Sequence, residues 1–477
     1  MRPRQLWVIL QLMTPEKKEI RDRPPVGEFC SGCGLCVGVC PRRALEMRFD
    51  EAGELKPFRL DDRCGESCRL CRQVCPFNDE LPNEDALGRE FFAATPGIAR
   101  HPITGFFLEC LAGYSRACRE GGASGGLATW TLQALLERGE VDAVACVAPH
   151  EGGHPLFEFT LCRTPEQVRS CARSAYYPVH LGHIVRQILD TPGRYAVIAL
   201  PCVCKALRLA MRRLPILRER IRYVLGLVCG QTKSALFAEW VCARGGGQPG
   251  CLRSIRFRLK TPGRSATDHA AAFGCGDGRE NTVFWSQGIG DIWSDRYFTL
   301  QACEYCDDVF AECADAVFMD AWLPRFVTDH RGHNLVLVRR AELADLLRSS
   351  PGECVVQDIS LADVIASQAG VINDKRLDIR HRLRLARTAG PHPPRKREHL
   401  FDREVLLGRK RLVAARWHAA RMSPLLWRES AGSLDRFAAA ASPLRLGLSV
   451  ARRNLRRLRI FNAVLRRLFI RRTRVAR

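Results

Sequence analysis

No stretch of this 477-residue chain reaches the ~18 apolar residues that a membrane-spanning helix needs. The apolar run Leu6 to Met13 is short, has no small-residue cleavage site and leads into the charged stretch Glu16 to Arg23, so it does not read as a secretory leader. Without one, a secreted disulfide framework is not expected, and a reducing cytoplasm is. Acidic residues are scarce in one region. From residue 395 to the end, 23 Lys+Arg face only 5 Asp+Glu, a net of +18, while the rest of the chain is nearly balanced. The formal charge of +23 therefore describes a tail and not the body. The G-x-G-x-x-G order of a dinucleotide-binding turn is missing from the most glycine-rich stretch.

What the chain does have is cysteine, 23 of them. Cys30-x2-Cys33-x2-Cys36-x3-Cys40-Pro41 is followed by Cys64-x3-Cys68-x2-Cys71-x3-Cys75-Pro76. Three closely stepped thiols wrap one iron–sulfur cube, and the fourth reaches the neighbouring cube. That rule assigns Cys30, Cys33, Cys36 and Cys75 to one [4Fe–4S] cluster. It assigns Cys64, Cys68, Cys71 and Cys40 to the other. The extra residue between Cys64 and Cys68 is expected to form a bulge at Glu66 or Ser67. Structural zinc is the alternative, but zinc favours two separated ligand pairs per ion, which evenly stepped triplets fit poorly. Cys303-x2-Cys306 is a third metal-like pair. It reads as zinc, as a redox pair, or as half of a third cluster completed by Cys202 and Cys229. Cys202 has a rival reading as a reactive thiol activated by a helix N-terminus.

Fully apolar segments of strand length, Val141 to Ala148, Ala196 to Leu200, Tyr223 to Val228 and Ala314 to Met319, alternate with helical patterns. The helical patterns run over Leu127–Arg138, Leu181–Leu189, Val203–Arg213 and Ser234–Ala243. This predicts an α/β body with a mostly parallel sheet covered on both faces. Ser124 is expected to cap the first helix and Gly139 to end it. Three strand ends run into Cys202, Cys229 and Asp320, at the edge where open α/β sheets bind ligands. A helix start at Gly121-Gly-Ala-Ser124-Gly-Gly126 suits a phosphate, although most such turns bind nothing. The domain reading is an N-terminal extension (1–27), a small α+β ferredoxin-like module (28–80), a linker over Phe77–Phe107, body regions 105–190 and 191–380, and a basic helical tail (395–477).

The ordered motifs Gly121–Gly126, Ser174-Ala-Tyr-Tyr-Pro178, Leu200-Pro-Cys202, Gly226-Leu-Val-Cys-Gly230, Cys303-x2-Cys306-Asp307 and Ala314-Asp-Ala-Val-Phe-Met-Asp-Ala-Trp322 carry a resemblance. Over roughly Phe29 to Arg376 the chain resembles the beta-subunit family of coenzyme F420 hydrogenases and formate dehydrogenases, which includes 7-hydroxymethyl chlorophyll a reductases. The resemblance implies an oxidoreductase. FAD would lie near Ser124, Gly125 and Gly126, fed by iron–sulfur clusters, with coenzyme F420 or another small hydride acceptor as substrate and a ferredoxin-type protein as redox partner. Cys202 and Asp320 fall on the substrate side. Val203 and Cys204 replace the polar residue usual after Pro-Cys, and Met319 replaces the glycine usual before Asp-Ala-Trp. A non-catalytic electron-transfer subunit is the rival reading.

Beyond Ser442, Leu455, Leu458, Phe461, Leu465, Leu468 and Phe469 recur at near-helical spacing among Arg452, Arg453, Arg456, Arg457, Arg466 and Arg467. This reads as a helix packed on the body or on a partner, or as one lying on an anionic membrane surface. Nucleic acid ranks last because no recognition motif accompanies the tail.

Overall fold

The computed structural model describes residues 29–475 apart from 61–62, 66, 151, 277, 390–392, 398–404 and 406, with side chains as far as residue 458. The expected bulge at Glu66 therefore lies outside the described residues. Eight strands form the central sheet: β1 (Glu109–Ser115), β2 (Ala143–Pro149), β3 (Phe157–Cys162), β4 (Tyr195–Ala199), β5 (Ile221–Leu227), β6 (Ala316–Asp320), β7 (Asn334–Val338) and β8 (Cys354–Asp358). Their spatial order is β8-β1-β7-β6-β5-β4-β2-β3.

The sheet is mixed, not mostly parallel. Only β2, β4, β5 and β6 run parallel. Strands β7, β1 and β8 add antiparallel on one side, and β3 adds antiparallel on the other. The four parallel strands are the ones read from the sequence as apolar runs, and both their faces are covered. Along β4, Tyr195, Val197 and Ala199 enter one core, and Ala196 enters the other. On β6, Val317 and Met319 alternate with Ala316 and Phe318 in the same way.

Helix α1 (Leu127–Glu137) covers one face, and α2 (Gly182–Asp190) with α3 (Pro201–Arg213) covers the other. Gly126, at φ +79°, occupies the N-cap of α1 in place of Ser124. A left-handed cap suits glycine, and the Ser124 hydroxyl instead donates to the His333 carbonyl at 2.7 Å. Gly139, at φ +65°, follows the end of α1 as expected. Body regions 105–190 and 191–380 share this one sheet, since β1–β3 come from the first and β4–β8 from the second.

A second layer lies between β5 and β6 in sequence. Helix α4 (Ala235–Arg244) packs on a three-stranded antiparallel sheet of Ser254–Leu259, Ala270–Gly274 and Glu280–Phe284. Helices α5 (Leu407–Glu429), α6 (Leu434–Ala440) and α7 (Ser442–Val475) close over it. Trp427, Phe437, Leu448 and Ala451 join Phe237, Phe257 and Phe298 in one core. The first half of the tail helix is thus a packed element of the body. Arg452 pairs there with Asp295. Phe461, Leu465, Arg466, Arg467, Leu468 and Phe469 have side chains outside the described residues. The stretch read as a linker holds a helix, Glu84–Phe92, and a hairpin of Ala99–His101 with Gly105–Phe107. No helix among the described residues is long and apolar enough to cross a membrane.

Candidate functional site

The cysteine module is two short helices, Leu35–Gly38 and Leu70–Gln73, beside an antiparallel hairpin of Leu45–Phe49 and Leu55–Arg59. Gly32 and Gly34 take φ values of +72° and +74°, which let the first loop turn back on itself. The module is seated on α2. The Leu181 N–H donates to the Cys33 carbonyl at 2.9 Å, and the Arg186 guanidinium donates to the Cys40 carbonyl at 2.6 Å. A Cβ on Gly38 would lie 2.7 Å from the Gly182 carbonyl, so only glycine permits this approach.

Cys30, Cys33 and Cys36 are buried, Cys40, Cys64, Cys71 and Cys75 are half-buried, and Cys68 is exposed. Burial pushes the Cys33 thiol up to about 12, and its neighbouring thiols are Cys30 and Cys75. Burial likewise raises Cys71, whose neighbours are Cys64, Cys68 and Cys40. Cys33 and Cys71 thus each feel charges from their own expected set, while Cys36 also feels Cys71 of the other. Neighbouring thiols repel one another once ionised, and a cation or cationic cluster relieves that.

A third group of four thiols lies beyond the carboxyl ends of the parallel strands. Cys202 opens α3 after β4, Cys229 follows β5, and Cys303 and Cys306 belong to the segment before β6. Burial pushes the Cys202 thiol well above its ordinary value, and Cys306, Cys229, Cys33 and Cys303 add to the push. This direction runs against the reactive-thiol reading of Cys202. The dipole of α3 is outweighed by desolvation and by like charges. Cys33 is the module residue whose charge acts on Cys202.

The Thr232 N–H points at Cys303 Sγ from 3.3 Å. Lys375 Nζ donates to Cys306 Sγ at 3.1 Å and to the Asp308 carbonyl at 2.8 Å. Lys375 is only 1% exposed and lies in a π-helical stretch, Asn373–Asp378, which turns Lys375, Arg376 and Asp378 all inward.

Asp320 ends β6 and holds a guanidinium. Arg258 donates to its carboxylate at 2.6 and 3.2 Å and to the Ala123 carbonyl at 2.9 Å. Lys260 Nζ donates to the Ser124 carbonyl at 2.6 Å, and burial lowers it to about 8. Arg119 bonds Asp329 at 2.8 Å and stacks on Tyr114 at 4.0 Å. A narrow cleft between the glycine loop and the three-stranded sheet is lined by Ala123, Arg258, Lys260, His269 and Gly332, with about 10 Å³ of room. Desolvation and the Arg258 charge depress His269 to about 3, so it is neutral there.

Models of the coenzyme F420 hydrogenase/dehydrogenase beta subunit match residues 110–186 (the N-terminal part) and 193–360 (the C-terminal part), together just over half of the chain. The chain belongs to that family. A 4Fe–4S dicluster domain matches residues 29–78, so this is an iron–sulfur member of it.

Among curated relatives, one of the subunits of the F420H2 dehydrogenase of Methanosarcina mazei is 25% identical over 209 residues, 42% of this chain and 53% of that protein. The coenzyme F420-dependent sulfite reductase of Methanocaldococcus jannaschii is 25% identical over 214 residues, 42% of this chain and 30% of that one. The chain therefore spans about half or less of these relatives. In the F420-reducing [NiFe] hydrogenase complex from Methanosarcina barkeri, one solved chain is 15% identical with a TM-score of 0.46. The match covers 62% of this chain and 99% of that one.

The family residues expected to touch a flavin have structural partners here. Besides the Ser124 bond to His333, a Cβ on Gly125 would lie 2.6 Å from the Asn334 N, and one on Gly126 would lie 2.5 Å from the Cys118 carbonyl carbon. Gly125 brings the loop against β1 and β7, Ser124 against the residue before β7, and Gly126 against the turn after β1. Sequence reasoning missed Arg258, Lys260 and Lys375. The first two carried a signal, the period-two cations Arg256, Arg258 and Lys260 on a strand. A register shift after Arg256 separates their fates. Arg256 pairs with Glu280 in solvent, while Arg258, at φ +62°, turns inward. Lys375 had none, because a lone lysine in a helical stretch ordinarily faces water.

Proposed function

We propose that this chain passes electrons through three [4Fe–4S] clusters to FAD, and from there to or from a small hydride acceptor such as coenzyme F420. The observation that carries the reading is the convergence of Cys202, Cys229, Cys303 and Cys306 beyond one end of the sheet, where the charge of Cys33 of the module also acts on Cys202. In this reading electrons step from the module to the thiols at the ends of the sheet strands. The donor set fits iron–sulfur chemistry, with four sulfurs per group in three groups and amide or ammonium donors on individual sulfurs.

When bound, the clusters supply one-electron carriers, and the flavin converts between single electrons and hydride. The chain's own residues do the rest. Gly34 and Gly38 let the module sit against α2. Lys375 holds the Cys306 sulfur and places a positive charge beside a group that gains negative charge on reduction. Arg258 and Lys260 offer cations to an anionic cofactor or substrate at the cleft, and Asp320 fixes the Arg258 fork. Lys260 Nζ can hold or release a proton near neutral pH. A flavin ring needs more room than the cleft now offers, so the Lys260 and Arg258 side chains must swing aside to admit one.

That narrowness favours the second reading, a non-catalytic electron-transfer subunit that serves a partner redox protein. Purification without oxygen, followed by iron and flavin counts, separates the two. About twelve irons and about one flavin per chain support the first reading. About twelve irons without flavin support the second. Zinc in place of iron sinks both.

A further inference from the structure

Three other cysteines meet on the second layer, away from every group above. Cys242 lies in the last turn of α4, Cys251 in the loop before strand Ser254–Leu259, and Cys275 directly after strand Ala270–Gly274. Their sulfur atoms lie within 4.8 Å of one another. Cys251 and Cys275 are joined as a disulfide, and Cys242 Sγ stands 3.7 Å from Cys251 Sγ.

The local sequence builds this approach. Gly245, Gly246 and Gly247 follow α4, and Gly246 takes φ +93°. The Gly247 N–H returns to the Cys242 carbonyl at 3.0 Å. A Cβ on Gly247 would lie 2.3 Å from Cys242 Sγ, so the turn is open only to glycine. Burial pushes the Cys242 thiol up to about 11, which keeps it protonated until a metal competes for the sulfur. Cys251 and Cys275 are half-buried and reachable from solvent.

A tetrahedral zinc ion with Zn–S bonds of about 2.3 Å has sulfur–sulfur edges of about 3.8 Å. Cys242 and Cys251 already hold that separation. No fourth His, Cys, Asp or Glu ligand atom joins the group among the described residues.

We propose that Cys242, Cys251 and Cys275 form a redox-gated site for a thiophilic divalent cation of the zinc class. An external dithiol opens the gate. The Cys251–Cys275 bond breaks, the dithiol supplies two electrons and two protons, and it closes into its own cyclic disulfide. The cation then forms three metal–sulfur bonds and displaces three thiol protons. The site ties the end of α4 to two neighbouring strand ends, and the bound ion replaces the cross-link that reduction removed.

The test uses the whole chain, purified without oxygen with its iron in place, treated with dithiothreitol and desalted. Zinc ion is titrated against a chromophoric zinc indicator, and zinc and iron are counted after gel filtration. Reduced wild type is expected to retain about one zinc per chain more than the untreated protein. Cys242→Ala and Cys275→Ser are expected to lose that zinc at unchanged iron content. Cys242→Ala keeps the Cys251–Cys275 bond available, so its folding does not depend on the trio. Equal zinc retention in wild type and Cys242→Ala overturns the proposal. So does a free-thiol count that dithiothreitol leaves unchanged, which would make the disulfide a permanent cross-link. Cobalt offers a second readout. A thiolate-to-cobalt absorption band in the difference spectrum of wild type minus Cys242→Ala supports the site, and a flat difference spectrum argues against it.

Discussion

Lys375→Met removes one buried positive charge and keeps most of the side chain's volume. The ammonium stands 3.1 Å from Cys306 Sγ and is shielded from water. An electron added to a cluster held by that sulfur spreads over the whole group, at roughly twice that separation. Coulomb's law at an effective dielectric of about 20 then gives about 3 kcal/mol of attraction. For a one-electron couple this is about 130 mV, so the third centre of the variant is expected to be harder to reduce by that order. The assay is a redox titration followed by electron paramagnetic resonance, on anaerobic protein whose iron content equals that of wild type. Lys375→Arg keeps the charge and is expected to recover most of the shift. A midpoint shift under ~20 mV for all centres, with iron retained, would refute the assignment of Lys375 to this cluster. Loss of about four irons in the variant would instead show that Lys375 is needed to seat the cluster at all.

Cys229→Ser is expected to lower iron by about four per chain while the module's visible absorbance survives, whereas Cys36→Ser should change the module signals and spare the third centre. Gly125→Ala forces a methyl to 2.6 Å from the Asn334 N and 2.7 Å from the Gly113 carbonyl, and should cost about 1–3 kcal/mol in denaturant unfolding. Trp427→Ala opens the core between α4 and the C-terminal helices and should cost about 3–5 kcal/mol, seen as a lower thermal midpoint. Burial alone would raise Asp374, but Arg296 and Arg382 prevail and hold it at about 2, against an ordinary 3.8. Its folded value is depressed, so its contribution is complete above about pH 4 and is lost as pH falls through 2. Asp374→Asn should therefore remove about 2 kcal/mol of stability at neutral pH and flatten the acid limb of the stability curve.

The parallel strands were legible because burial on both faces leaves a continuous apolar run, as in Ala196–Ala199. Strands β1, β3, β7 and β8 were not. In β3 (Phe157–Cys162) and β8 (Cys354–Asp358), exposed polar positions break the run, and β7 (Asn334–Val338) is apolar but follows a polar loop that gives no strand boundary. Ser124 misled because its hydroxyl type suits an N-cap, while the glycine two residues on suits the left-handed turn that the β1–α1 connection requires. The module cysteines could be grouped from spacing because their ligand geometry is local. The four-thiol group could only be suggested, since its members come from three segments spread over about a hundred residues, Cys202 to Cys306. Lys375 was beyond reach because a π turn, not written in residue type, directs it inward, and the cation pattern around Arg258 did not reveal the bulge that turns it inward.

Arg397 sets where the polypeptide can be cut. Its guanidinium is buried against Asp307 at 3.0 Å and Glu312 at 2.8 and 2.9 Å, with Glu84 nearby at 3.7 Å. Arg376 reaches the same Glu312 at 2.5 Å, and Lys205 reaches Glu84 at 3.2 Å. A version shortened before Arg397 would strand these carboxylates in a dry interior with one counter-ion fewer, a few residues from Cys306. The arginine-rich end is therefore stitched into the interior by its first residues, and its removal would be felt at the thiols before it was felt at any surface.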